Sequence, residues 1–105
     1  MNTTTNQLQI AGKILEIGTE TTNEIGGNTW KKNEFVIQTD EKYPKTIHIN
    51  VWGDNLLWLS RCNVGDFVTA MINISSKKSK DKWFIEVVAW RIDIDMLKMK
   101  QNLSN

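Results

Sequence analysis

The chain has 105 residues, enough for one domain with a single hydrophobic core. Hydrophobic residues make up 40% of it and charged residues 24%, as in an ordinary globular protein, and no apolar run approaches the ~20 residues that cross a bilayer. The formal net charge of +1 gives no overall attraction for a polyanion, so a site for one would need a local cluster of positive charge.

The first half of the chain alternates polar and apolar residues in three stretches, and each stretch predicts a strand. After a flexible N-terminus at residues 1–7, the first strand is expected at residues 8–17, where Gly12 indicates a bend or a close approach of another backbone. Residues 18–28 are expected to form a loop. The second strand is expected at residues 29–39, and a turn separates it from the third.

The third strand, at residues 45–54, places a tryptophan on its polar side. Ile47, Ile49 and Val51 lie on one side, whereas Trp52 shares the other side with polar residues. Because successive side chains of a strand face opposite sides, the aliphatic side is expected to cover a core and Trp52 to face away from it. A tryptophan in that position requires a specific reason, either functional or in packing.

The second half changes period once and then returns to strands. Leucines at helical spacing between residues 56 and 59 predict a short helix. A fourth strand at residues 67–75 and a fifth at residues 83–94 are expected to be joined by a charged hairpin loop at residues 76–82. The end of the chain, residues 96–105, is expected to form a short tail.

The order of these elements predicts an all-β domain over residues 8–95. Three strands, a short helix and two further strands match the OB-fold, a five-stranded Greek-key barrel with a short helix between strands 3 and 4. Closing the sheet into a barrel removes most of its exposed edges. An SH3-like barrel is the competing architecture, although a helix at that position is less expected in it.

Several short motifs resemble those of bacterial and phage single-stranded-DNA-binding proteins. They are FVIQTDEKY, INVWGD, VGDFV and KWFIEVVAWRI, and the similarity covers roughly residues 8–94. The family carries an aromatic residue after the second strand and another before a glycine at a strand end, and Tyr43 and Trp52 occupy these positions here. Trp83 lies near the place of a third aromatic, in the hairpin between the last two strands. The chain departs from the family in its final residues, KMKQNLSN, which contain no acidic residue.

The resemblance implies a role, partners and an assembly. It implies binding of single-stranded DNA without sequence preference, to protect it in replication, recombination or repair. It also implies a homodimer or homotetramer. Such binders combine a positively charged groove with aromatic rings on which bases stack. The candidate nucleic-acid-binding residues are Trp30, Lys32, Tyr43, Lys45, His48, Asn50, Trp52, Lys77, Lys78, Lys80, Lys82 and Trp83.

Structural explanations compete with a binding role for the candidate aromatic residues. Trp52 would instead cap the end of the barrel or pack on a partner subunit, Trp30 would pack under the Gly26–Gly27 loop, and Tyr43 would pack on Pro44. The lysines of KKSKDK would instead belong to a solvated loop. A loop at that place in an OB-fold flanks the oligonucleotide face, which favours phosphate contacts.

No pattern in the sequence predicts catalysis, a metal or a cofactor. His48 and Cys62 are the only histidine and cysteine, so neither a zinc-type cluster nor a dyad is indicated, and an enzyme is not expected. The single cysteine and a start without signal-peptide features predict the cytoplasm, associated with the nucleoid or in a host cell if the source is a phage. Two alternatives stay open: a protein-interaction OB adaptor and a binder of single-stranded RNA.

Overall fold

The structure, a computed structural model, describes residues 8–98 as one six-stranded sheet with a short helical segment. The elements are β1 (Leu8–Ile17), β2 (Thr21–Ile25), β3 (Asn28–Thr39), β4 (Thr46–Trp52), a 3-10 helix (Gly53–Asn55), α1 (Leu56–Ser60), β5 (Phe67–Ser79) and β6 (Lys82–Ile94). The flexible N-terminus predicted at residues 1–7 lies outside the described residues, as does residue 99 onward of the predicted tail. Residues 96–98 are helical.

The sheet closes on itself to form a barrel. Its strand order is β1-β5-β6-β4-β3-β2, and β1 pairs additionally with β3, which completes a ring of five strands. All neighbours in the ring are antiparallel except β4 and β6, which meet in parallel at the single pair Asn50 and Val88. The five ring strands are the five that the sequence predicts, with α1 before the fourth of them, so the predicted barrel is confirmed.

Closure of the ring depends on Gly12. This residue lies opposite Thr39 on β3 and Val68 on β5, so β1 is held between two strands at that point. A β-carbon at position 12 would lie only 2.3 Å from the carbonyl oxygen of Gln38. Only glycine permits this separation, and the close backbone approach predicted from the sequence is confirmed.

The aliphatic sides of the strands fill the barrel. Ile49 and Val51 are fully buried, as the alternation in β4 predicts, and Leu59 of α1 contributes to the same core. The largest fully buried side chains are Phe35, Ile14, Ile37, Ile49, Val51 and Val68. The core thus occupies one side of every ring strand and leaves the other side on the outside of the barrel.

The prediction of a loop at residues 18–28 is wrong, because β2 lies within this range. β2 pairs with the first part of β3 as a hairpin, and only Gly26 and Gly27 connect the pair Ile25 and Asn28. Both glycines have positive φ, 58° and 83°. A two-residue turn with positive φ at both positions matches the twist of the flanking strands, which explains why a glycine pair joins two strands here.

The predicted extent of the charged hairpin loop, residues 76–82, is also wrong. β5 continues to Ser79 and β6 begins at Lys82, so the turn consists of Lys80 and Asp81 alone. Most of the lysines expected in a loop therefore lie on strands. Since side chains alternate between the two sides of a strand, these lysines are divided between two surfaces.

Two hairpins extend beyond the ring and form arms. The first arm consists of β2 and residues 28–32 of β3, because β3 pairs with β1 only from Phe35 onward. The second arm consists of residues 73–79 of β5 and residues 82–88 of β6, because β5 pairs with β1 only as far as Ile72. The arms account for the elongated shape of the chain, 49 × 31 × 31 Å.

Candidate nucleic-acid interface

Trp52 lies on the outer side of the barrel, next to a cation. The register of β3 and β4 places Lys32 directly opposite Trp52 and Glu34 opposite Asn50, so these four side chains share the outer side. The Nζ atom of Lys32 lies 5.2 Å from the centre of the Trp52 ring, within the range of a cation–π contact. The ring is half-buried rather than sealed in the core.

A cleft of about 510 Å³ opens between the two arms, next to Trp52. Its lining comes from five strands: Ile25 and Trp30 from the first arm, Trp52 from β4, and Lys77, Glu86 and Val88 from the second arm. The structure thus brings together three of the predicted residues that are far apart in the chain. The other three lining residues were not predicted. Ile25 fell in the supposed loop, whereas the alternation of β6 places Glu86 and Val88 on one side without indicating which side.

One acidic side chain in the cleft is held by a buried amide. Asn50, which is 8% exposed, donates a hydrogen bond from Nδ2 to Oε2 of Glu86 over 3.2 Å. The Oδ1 atom of Asn50 is buried and has no hydrogen-bond partner among residues 8–98. Within the same residues, no lysine, arginine or histidine forms a salt bridge with Glu86. Asn50, which the sequence predicts as a nucleic-acid-binding residue, is therefore bonded to Glu86 and almost covered from solvent.

The second arm separates the predicted lysines and Trp83 between its two sides. Lys77 lies opposite Phe84 on the side of the cleft, whereas Lys78 lies opposite Trp83 on the other side. Lys82 follows the register of Phe84 and shares the cleft side, and Lys80 occupies the turn at the tip. Trp83 is 67% exposed, with Lys78 Nζ 6.0 Å from its ring centre. The structure therefore does not bring Lys78 and Trp83 into the cleft.

Tyr43 stands at the opposite end of β4 from Trp52. The length of β4 separates the two by about 20 Å at the usual rise per residue. Tyr43 is 72% exposed, and Lys42 Nζ lies 5.5 Å from its ring centre. Lys45 is paired with Glu41 at 3.3 Å, so its charge is partly neutralised. The turn therefore offers an exposed ring with the cation of Lys42 beside it.

His48 lies on the outer side of β4, where its side chain is bonded to an acidic neighbour on β3, Glu34. Its Nε2 atom is hydrogen-bonded to Oε1 of Glu34, and both side chains are about half exposed. The hydrogen bond from His48 is the main cause that lowers the pKa of the Glu34 carboxyl. Glu34 is therefore ionised at neutral pH, and the other ring nitrogen of His48 has no hydrogen-bond partner within residues 8–98.

The single cysteine, Cys62, belongs to the hydrophobic core of the barrel. Cys62 is 7% exposed and donates a hydrogen bond from Sγ to the carbonyl oxygen of Trp58 over 3.3 Å. Burial, followed by the charge of Asp66, raises the pKa of its thiol to about 11, so the thiol is protonated at neutral pH.

Within residues 8–98, no three metal-binding side chains cluster together and no helix is long and apolar enough to cross a membrane.

Residues 9–93 match the model of one protein family, DUF3127, which is described as a domain of unknown function. The chain belongs to the DUF3127 family. No protein with a curated description matches this DUF3127 chain.

Solved structures similar to this DUF3127 protein show its fold. The SSB domain of a protein from Synechococcus sp. is 17% identical, with a TM-score of 0.59 over 89% of this chain and 99% of that one. The dimeric N-terminal domain of PriB from Thermoanaerobacter tencongensis is 19% identical, with a TM-score of 0.63 over 86% and 96%. The second single-stranded-DNA-binding protein, SSBb, from Mycobacterium smegmatis is 15% identical, with a TM-score of 0.62 over 88% and 90%. At these identities the likeness establishes the fold, and the predicted OB-fold is confirmed.

Proposed function

We propose that this DUF3127 protein binds single-stranded DNA in the cleft between its arms and along the outer side of β3 and β4. The observation that carries the proposal is the cleft itself, where Trp30 and Trp52 lie beside Lys32 and Lys77. Bases of any sequence stack on aromatic rings, and lysines neutralise the phosphates between them. The OB-fold shared with proteins named for single-stranded DNA binding supports the same reading.

The proposal also gives places to Lys32, Tyr43, Lys80 and Lys82. A base that stacks on Trp52 displaces the flexible Lys32 side chain, whose ammonium then lies next to the phosphate of that nucleotide. Lys80 and Lys82, at the tip of the second arm, add further phosphate contacts, and Tyr43 stacks a base at the far end of β4. Binding rather than catalysis is the activity. Protection of exposed strands during replication, recombination or repair in the cytoplasm is the corresponding role.

Titration with oligo-dT tests the proposal through tryptophan fluorescence. A dT strand of about 8 nucleotides, within the site size of one OB-fold, should quench the fluorescence, and the affinity should fall steeply with added salt. Oligo-rU of the same length measures the preference for DNA over RNA, which depends on the 2′-hydroxyl. The absence of any fluorescence change at low salt would count against the proposal.

Substitution of Trp52 separates stacking from charge. Trp52→Ala should weaken binding of the short dT strand by about 1–3 kcal/mol, more than alanine at any single lysine. Trp83→Ala is the matched control, because the same residue type is removed from the other side of the second arm, and its affinity should stay close to that of the unaltered protein. Equal losses for the two variants would show that the cleft is not the binding site.

A second candidate function, protein contact, is favoured by the other side of the second arm. Strand register places Ile74, Trp83 and Ile85 on that side, and all three are exposed. We propose a second copy of this chain as the partner, giving a homodimer or homotetramer, because this side continues the core-facing side of the barrel and two copies bury each other's apolar residues. Light scattering at micromolar concentration should show the assembly and Ile85→Asp should dissociate it, whereas an unaltered protein that is monomeric would exclude it.

A further inference from the structure

We propose that the cleft between the arms selects guanine and that Glu86 reads the Watson–Crick edge of this base. The inference rests on the proposed binding of single-stranded DNA and adds a base preference to it. It follows from an acidic residue in a cleft that otherwise suits bases and phosphates.

Glu86 is out of place in a surface that only binds phosphate. A carboxylate repels a phosphate, and the cations near it within residues 8–98 do not neutralise it by a salt bridge. It lines the cleft together with two tryptophan rings and is half-buried there. A half-buried carboxylate in the same cleft as two stacking rings is placed to accept hydrogen bonds from a stacked base.

Asn50 is a positioning residue for this carboxylate. Its Nδ2 atom donates to Glu86 Oε2, while its Oδ1 atom is buried without a partner among the described residues. An unsatisfied buried acceptor costs free energy, and the reverse orientation of the amide would place an oxygen against the carboxylate. The orientation of Asn50 is thus determined by Glu86. The pair fixes the carboxylate against β4 and leaves the lone pairs of Oε1 and the second lone pair of Oε2 for a ligand.

Guanine matches the Glu86 carboxylate better than the other bases do. A carboxylate only accepts hydrogen bonds, through two oxygens side by side. Guanine presents two adjacent donors, N1–H and the N2 amino group, on its Watson–Crick edge. Thymine presents N3–H between two carbonyl oxygens, and the amino groups of cytosine and adenine each stand beside an acceptor nitrogen. Only guanine therefore forms two parallel hydrogen bonds with Glu86 without bringing an acceptor against it.

The rest of the cleft accommodates the remainder of such a nucleotide. Its volume of about 510 Å³ lies within the usual range of small-molecule sites, and Ile25 and Val88 give it apolar walls. Trp30 and Trp52 supply faces for stacking, and Lys77 supplies a cation for the adjoining phosphate. The base and the phosphate of the nucleotide thus each meet side chains of matching chemistry.

Short dT strands with one altered central nucleotide test the inference. Affinity is measured by tryptophan fluorescence for strands that carry dT, dG, dC, dA or deoxyinosine, whose base is guanine without the N2 amino group. The strand with dG should bind about tenfold more tightly than the all-dT strand, the size expected for a bidentate contact, and deoxyinosine should lie between them.

Two matched variants assign the preference to Glu86. Glu86→Gln keeps the shape and removes the charge, and it should abolish the preference for dG. Glu16→Gln removes the same charge from an exposed position on β1, outside the cleft lining, and should retain the preference. Thermal unfolding of both variants verifies that they fold.

The outcomes distinguish the preference for guanine from the proposed binding of single-stranded DNA. Equal affinity for all five strands, or a preference for dC or dA, would overturn the guanine assignment while leaving single-stranded DNA binding in place. A preference for dG that survives Glu86→Gln would overturn the role of Glu86. Failure to bind any strand would overturn the proposed function itself.

Discussion

Individual side chains acquire their roles in this protein from the side of the strand on which they lie. Trp52 and Trp83 are both tryptophans on strands and both have a lysine over the ring, Lys32 and Lys78 respectively. Trp52 belongs to the cleft side and Trp83 to the opposite side of the second arm. The same local chemistry thus serves nucleic-acid binding at one position in our proposal and self-association at the other.

Cys62 permits a prediction at the residue scale. Because its thiol is buried and its pKa is raised to about 11, roughly one thiol in a thousand is ionised at pH 8, and labelling by a thiol-specific reagent should be very slow in the native protein. Urea-unfolded protein is the control and should react within the ordinary time of a free cysteine. Native protein that reacts as fast as the unfolded control would contradict the buried position.

The same shift makes the stability of the protein sensitive to alkaline pH. The folded pKa lies above the unfolded value of 9.0, so the contribution of the thiol to the free energy of unfolding is complete below pH 9 and is lost as the pH rises toward 11. Urea unfolding between pH 8 and 11 measures this loss. Cys62→Ala should show a smaller decrease over the same interval, and an identical decrease in both proteins would assign it to other groups.

At the scale of elements, the two hairpin turns have the same length but different residues. The first arm turns through Gly26–Gly27 and the second through Lys80–Asp81, and all four residues have positive φ. Glycine adopts this conformation without steric cost, whereas other residues are strained in it. The second arm therefore retains a strained turn that carries one of the lysines proposed to contact phosphate.

Relief of that strain should stabilise the protein. Replacement of Lys80 by Asn together with Asp81 by Gly, the residues preferred in this turn, should raise the free energy of unfolding in urea by about 1–2 kcal/mol. The opposite change in the first arm, Gly26→Ala with Gly27→Ala, should lower it by a similar amount. Stability that is unchanged in both variants would show that turn strain does not contribute.

At the scale of the whole molecule, closure of the barrel and separation of the arms depend on one another. β3 pairs with β1 over one part of its length and with β2 over the other, and β5 similarly leaves β1 beyond Ile72. The positions where these pairings change are the positions where the arms leave the ring. The cleft exists because β3, β5 and β6 are longer than the barrel requires.

Gly12 allows a test of closure. Gly12→Ala should lower the free energy of unfolding by about 3 kcal/mol or more, because the added carbon meets the backbone of β3, which cannot move without opening the ring. Gly18→Ala is the comparison: its added carbon meets side-chain atoms first, Cγ of Glu34 at 2.9 Å and Oδ1 of Asn33 at 3.0 Å, which shift more readily than backbone, and the expected loss is smaller, about 1–2 kcal/mol. Comparable losses in urea unfolding would contradict the special position of Gly12.

The sequence by itself determined the order of the five ring strands and the helix, and the side of the third ring strand, β4, that faces the core. Alternation along Ile47, Ile49 and Val51, and the leucines near Leu59, are local patterns that do not require knowledge of the partner strands. The close approach at Gly12 followed from the same kind of local reasoning. The resemblance of the motifs to single-stranded-DNA-binding proteins likewise anticipated the OB-fold.

Only the tertiary structure decided which side chains share the cleft. Ile25, Glu86 and Val88 join Trp30 and Trp52 because β2, β3, β4 and β6 meet at one end of the barrel, and no local pattern records that meeting. The division of the second arm depends on the turn having only two residues, since a shift of one residue in the register would move every side chain of the hairpin to the opposite side.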